Sequence, residues 1–133
     1  MTTYGTRGDG LKILIIDDSH VMRNMIQRVV TAAGISAAFI EAGDGCEGLA
    51  AIDDSVDLIL CDWDMPEMNG IDCIRAYRTD GGELPVIMVT TESHSSKVRE
   101  AMNAGASGFI SKPFTPDQFL AEFRRVCPDR TVG

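Results

Sequence analysis

Leu11-Lys12-Ile13-Leu14-Ile15-Ile16-Asp17-Asp18 is a nearly continuous apolar run of strand length, closed by two adjacent carboxylates. A run that is apolar at almost every position, rather than at alternate ones, is the pattern of a strand buried on both faces. The arrangement recurs along the chain: Val56 to Cys61 is followed by Asp62, Val86 to Val89 by Thr90, and Gly108 to Ser111 by Lys112. Parallel strands in one sheet would bring these polar ends to a single edge. That edge would carry three carboxylates, a hydroxyl and an ammonium, a set suited to a divalent cation and a phosphoryl group.

Between the strand-like runs the apolar period changes to that of a helix. Val21, Met22, Met25, Ile26, Val29 and Val30 recur at helical spacing, with Gly34 as a C-terminal stop. Ala38-Phe39-Ile40 is a short second strand, and Asp44 with Glu47 predicts a capping-box start for a helix carrying Leu49, Ala50 and Ile52. Met65 to Gly70 reads as a loop before a third helical period at Ile71, Ile74 and Tyr77. Gly81-Gly82 breaks the chain before Pro85, and a fourth helix is expected from about Ser93 to Asn103, ending at Gly105. Thr115, Pro116 and Gln118 open a last helix with Phe119, Leu120, Phe123 and Val126 on one face, and Pro128 stops it. Strands alternating with helices predict an α/β fold, a parallel sheet covered on both faces, with ligands outside the carboxyl ends of the strands.

The 133 residues suffice for one domain, expected at 11–127 between a loose N-terminal tail at 1–10 and a C-terminal tail at 128–133, with no output domain of its own. A formal net charge of −8 repels phosphate backbones and argues against direct nucleic-acid binding. No apolar stretch approaches the ~20 residues that cross a bilayer, and Met1 to Gly10 lacks the apolar middle of a signal peptide, so a cytoplasmic location is expected. Cys46, Cys61, Cys73 and Cys127 have no metal-ligand spacing and read as reduced, structural thiols.

Neighbouring strands lie roughly 5 Å apart, so adjacent strands ending at Asp18 and Asp62 would bring their carboxylates to a common point. Two such charges about 4 Å apart repel by about 4 kcal/mol at an effective dielectric of about 20. The acids must therefore raise each other's pKa or recruit a cation, and oxygen-only ligands favour Mg²⁺ over zinc. A carboxylate can also be the nucleophile in aspartyl-phosphate chemistry, where a metal and a lysine neutralise the transferring group. The short Thr90 hydroxyl suits an adjacent strand, and the long Lys112 stem suits a strand about 10 Å away.

Ile15-Ile16-Asp17-Asp18-Ser19, Cys61-Asp62-Trp63-Asp64-Met65-Pro66, Val89-Thr90 and Lys112-Pro113-Phe114 together resemble the receiver domain of bacterial two-component response regulators, above all its single-domain chemotaxis subgroup. Met68-Asn69-Gly70 and Ala104-Gly105-Ala106 are also in register, and the resemblance runs from about Leu11 to Val126. It implies a doubly wound, flavodoxin-like fold with five parallel strands in the order 2-1-3-4-5 and five helices on both faces; the order is taken from the family. It further implies a signalling switch in which Asp62 accepts a phosphoryl group from a histidine kinase and the altered surface acts on a downstream protein. Asp18 and Asp62 would hold Mg²⁺ directly, the Asp64 backbone carbonyl would be a third ligand, and Asp17 would act through water. Thr90 and Lys112 would contact the phosphoryl oxygens, Lys112-Pro113 would be cis, and Phe109 would follow Thr90 inward as the switch residue. Phe109 stands where the chemotaxis subgroup carries Tyr, and Asp64 where Asn is common.

Taken singly, these residues have plainer readings. Asp17-Asp18 alone reads as a cap of the first helix. Thr90 alone is a strand end, Lys112 a solvated charge, Phe109 a core aromatic, and Trp63 a shield at the site edge. His20 and His94 read as solvated helix residues, and Arg7-Gly8-Asp9 as chance within the tail. Two other functions compete. Asp62-x-Asp64 resembles the Asp-x-Asp of haloacid-dehalogenase-type, Mg²⁺-dependent phosphohydrolases, although those place it after the first strand. A binding module that is never phosphorylated would not need all five polar groups. The only catalysis expected is self-catalysed phosphotransfer and autodephosphorylation, without an exogenous substrate.

Overall fold

The computed structural model describes residues 10–91 and 95–129. Five strands alternate with five helices: β1 (Leu11–Ile16), α1 (His20–Ala32), β2 (Ala37–Ala42), α2 (Gly45–Ala51), β3 (Leu58–Cys61), α3 (Gly70–Thr79), β4 (Val86–Thr90), α4 (Ser95–Ala104), β5 (Gly108–Ser111) and α5 (Pro116–Val126). All pairings are parallel, in the order β2-β1-β3-β4-β5, which is the expected doubly wound 2-1-3-4-5 sheet.

Side chains alternate across the pleat, so each continuous apolar run divides between two cores. Ile13 and Ile15, Leu58 and Leu60, and Ile87 and Val89 face a cluster completed by Ile26 and Val30 of α1 and Phe119 and Phe123 of α5. Leu14 and Ile16, Ile59 and Cys61, and Val86 and Met88 face the other, with Cys73 and Ile74 of α3 and Ala101 and Ala104 of α4. The two layers explain why the strands show no polar face in the sequence. Cys61, Cys73 and Cys127 are buried free thiols, as expected of structural cysteines, whereas Cys46 is free and exposed, outside the core.

Local chemistry sets the helix ends. Thr115 Oγ1 accepts from the Gln118 N–H while Gln118 Oε1 accepts from the Thr115 N–H, the reciprocal box predicted for α5. At α2, Asp44 caps Glu47 as predicted, but Glu47 Oε1 accepts from Gly43 instead of Asp44, so the box is displaced by one residue. Ile52 is the C-cap of α2 and lies outside the helix proper. Asp17 and Asp18 do not cap α1; Ser19 does, its side chain accepting from Met22. Gly34 follows the C-cap of α1 with φ 89°, a left-handed conformation that glycine adopts without steric cost.

Two boundaries shift. The third strand begins at Leu58, not Val56, because the Asp57 side chain takes part in the joint with β1: Asp57 Oδ2 accepts from the Lys12 N–H at 2.9 Å while the Asp57 N–H donates to Lys12 O at 2.8 Å. The fourth helix is described from Ser95 to Ala104; its expected start at Ser93 lies outside the described residues, as do His94 and Arg7-Gly8-Asp9. His20 is the exposed first residue of α1, as its solvated reading requires.

Phe119 is fully buried and stacks between Phe114 and Phe123 at centroid distances of 6.0 and 6.1 Å. Phe119→Ala is expected to lower unfolding stability by about 3–5 kcal/mol in urea titration. Val21→Ala, at a position 70% exposed, should remain within about 0.5 kcal/mol of the parent. Equal effects of the two substitutions would contradict this placement of the core.

Candidate functional site

Register builds the site. Ile16 pairs with Cys61 across β1 and β3, so the next residue of each strand, Asp17 and Asp62, leaves the sheet beside the other. The Asp62 N–H donates to Ile16 O at 2.8 Å and the Asp17 N–H to Ala42 O at 3.0 Å, which fixes both backbones at the carboxyl edge. On the other side of β3, Thr90 ends β4, and the Lys112 N–H donates to Thr90 O at 2.9 Å. The polar ends predicted to meet therefore do meet at one edge, with Lys112-Pro113 in the expected cis form.

The Lys112 ammonium lies 3.0 Å from Asp17 Oδ2 and 3.3 Å from Asp62 Oδ1, bridging the two acids. Asp62 Oδ1 also accepts from the Trp63 N–H at 2.8 Å. Asp17 Oδ1 accepts from the Ser19 N–H at 2.9 Å, and an Arg23 guanidinium N–H donates to the Asp17 carbonyl. Asp17 and Asp62 are buried, at 1% and 7% exposure, whereas Asp18 is exposed at the rim. Burial pushes the Asp62 carboxyl up from its ordinary 3.8 to about 6, aided by the Asp17 charge and opposed by Lys112 and the Trp63 N–H. Burial disfavours the Lys112 ammonium too, but the hydrogen bond to Asp17 and the two carboxylate charges outweigh it and raise its pKa.

Carboxylate oxygens of Asp17, Asp18 and Asp62 lie within 4.8 Å of one another. An oxygen-only donor set that is open at Asp18 and already concentrates negative charge fits a hard divalent cation such as Mg²⁺. Residues 13–124 match the model of the response regulator receiver domain. The chain belongs to that family.

Among relatives of this receiver domain, chemotaxis protein CheY1 of Helicobacter pylori is 40% identical over 116 residues, covering 84% of this chain and 92% of its own. The solved structure of chemotaxis protein CheY4 from Vibrio cholerae aligns with a TM-score of 0.76 at 35% identity, covering 87% of this chain and 98% of that one. A chain of the CheX-CheY-BeF₃-Mg²⁺ complex from Borrelia burgdorferi aligns with a TM-score of 0.80 at 26% identity, covering 87% and 88%.

Within this receiver domain the remaining predicted residues take distinct places. Thr90 is buried at the sheet edge, and Asp64 is exposed in the loop after Asp62. Phe109 is half-buried in β5 against the cluster shared with α3 and α4, and its backbone N–H donates to Glu122 Oε2 of α5 at 2.9 Å. Sequence reasoning did not assign roles to Gly70, Ser19, Arg23 or Lys97. Gly70 is a spacing requirement: a Cβ there would stand 2.0 Å from the Asp62 carbonyl oxygen. Its place after Met68-Asn69 was the only signal available.

The raised Asp62 pKa carries a stability consequence. The folded chain holds the proton on Asp62 more tightly than the unfolded chain, so stability falls as pH rises from about 4 through about 6. In chelator, Asp62→Asn is expected to be about 1 kcal/mol more stable than the parent above that range, after allowance for water at the open rim, with the gap closing at lower pH. Urea unfolding at several pH values measures it; a gap independent of pH would contradict the assignment.

Proposed function

We propose that this receiver domain, spanning 11–127, is a phosphorylation-driven signalling switch that takes its phosphoryl group on Asp62. The observation that carries the reading is the Lys112 ammonium within 3.3 Å of Asp62 and 3.0 Å of Asp17. A cation held there by two acids is positioned to neutralise a group transferred onto either of them, and Asp62 is the one at the end of the central strand β3.

In this reading Asp18 and Asp62 would hold Mg²⁺ with the Asp64 backbone carbonyl, and Asp17 would act on it through water. When bound, the ion neutralises charge on the phosphoryl oxygens. A carboxylate oxygen of Asp62 attacks the phosphorus of a phosphohistidine on a histidine kinase. The P–N bond breaks as the P–O bond forms, and the leaving imidazole nitrogen takes up a proton. Lys112 stays on the phosphoryl oxygens, the Thr90 hydroxyl joins them, and the half-buried Phe109 ring follows. The surface so altered recognises a downstream protein. The −8 charge argues against nucleic acid as that target. A cytoplasmic location is part of the proposal, and among the described residues no helix is long and apolar enough to cross a membrane. Asp62-x-Asp64 follows β3 and not β1, which weighs against a haloacid-dehalogenase-type phosphohydrolase.

Acetyl phosphate with Mg²⁺ is expected to add the mass of one phosphoryl group to the intact protein and to change the fluorescence of Trp63, the sole tryptophan. Asp62→Asn and chelator should each abolish the mass gain. Modification of the Asp62→Asn variant at the parental rate would remove Asp62 as acceptor, and many turnovers of a generic phosphate ester per protein would favour the hydrolase.

A further inference from the structure

Lys97 lies on α4, and its ammonium sits 4.5 Å from the centroid of the Trp63 ring. That distance is well inside the range in which an indole face attracts a cation. Trp63 is only 5% exposed and belongs to the core cluster shared with α3 and α4, so the ring presents a largely desolvated face. Its backbone N–H donates to Asp62 Oδ1, the carboxylate oxygen that also faces Lys112. One residue thus touches the acceptor carboxylate through its backbone and helix α4 through its ring. Ala101 and Ala104, the buried residues of α4, have short side chains, so the helix is anchored by small contacts and this polar one weighs more heavily.

We infer that Lys97 is a positioning residue, whose clasp on Trp63 couples helix α4 to the state of Asp62. The inference rests on Asp62 being the phosphoacceptor. Bonding a phosphoryl group to the carboxylate changes the charge and geometry that the Trp63 N–H meets, and the ring moves with its backbone. In this proposal the clasp is tighter in the unphosphorylated chain, so it opposes that change, and by linkage its removal favours the occupied state. The Phe109 ring lacks a hydroxyl to anchor a rearrangement at β5, whereas Lys97 gives α4 a side-chain tie to the Trp63 ring, beside the backbone bond that Gly70 of α3 makes to Trp63.

The test is titration of the full chain with beryllofluoride and Mg²⁺, followed by Trp63 fluorescence and by amide exchange across α4. Lys97→Met should change Trp63 emission before any addition, raise exchange in α4, and tighten beryllofluoride binding about two- to fivefold, the ratio expected for one such contact. Lys97→Arg, which keeps the cation, should restore all three values. A merely structural lysine would raise exchange without altering beryllofluoride affinity, and the inference would then fall. Equal affinity and equal exchange in parent and Lys97→Met would overturn the coupling alone. A parent that binds no beryllofluoride would overturn the phosphoacceptor reading and the coupling with it.

Discussion

Parallel pairing of Ile16 with Cys61 sets two carboxylates side by side at the end of the sheet, and much of the surrounding structure offsets their mutual repulsion. Lys112 reaches across from beyond β5 to lie between them. Ser19 and Trp63 turn backbone N–H groups onto them. Asp62 nevertheless keeps a raised pKa, chiefly because it is buried and secondly because of the Asp17 charge beside it. Three carboxylates gathered within 4.8 Å of one another form a site that a divalent cation would complete. The stability forgone at this edge is supplied elsewhere, by strands apolar on both faces and by the stacked Phe114, Phe119 and Phe123.

The strands were legible because double-faced burial leaves a run of apolar residues ending abruptly in a polar group, while their order in the sheet came from the family resemblance. The ends of those runs were the site, and residues as distant as Asp17 and Lys112 were legible together from those ends and from the motifs that carry the resemblance. The α5 cap was legible because Thr115, Pro116 and Gln118 carry their own geometry. Where a side chain replaces backbone, the reading slipped: Asp57 carries its carboxylate to the Lys12 N–H, so an apolar run beginning at Val56 enters the ladder later. Ser19 took the cap that the neighbouring acids seemed to claim, because those acids face the sheet edge. Contacts such as Lys97 over Trp63 leave no local periodicity, and only the assembled fold brings them into view.

Strand β5 illustrates how helix and sheet share control of one residue. Phe109 is held by its backbone, the N–H bonded to Glu122, while Arg125 bonds the same carboxylate. The Arg125 hydrogen bond, against some burial, keeps the Glu122 carboxyl below its usual range, so it remains an acceptor at neutral pH. The backbone of β5 is thereby tied to α5 while the ring is confined only by packing. Under the proposed switch reading, such a tie leaves the ring and not the backbone as the part free to move.

Gly70 shows how narrow the tolerance is around Asp62. Its N–H donates to Trp63 O at 2.8 Å, and the start of α3 presses against the Asp62 carbonyl so closely that not even a methyl group fits. The start of α3 therefore lies hard against the backbone of Asp62. Any force that pulls on α3, whether from a docked molecule or a tether placed there by an experimenter, would be felt at Asp62 with almost no slack.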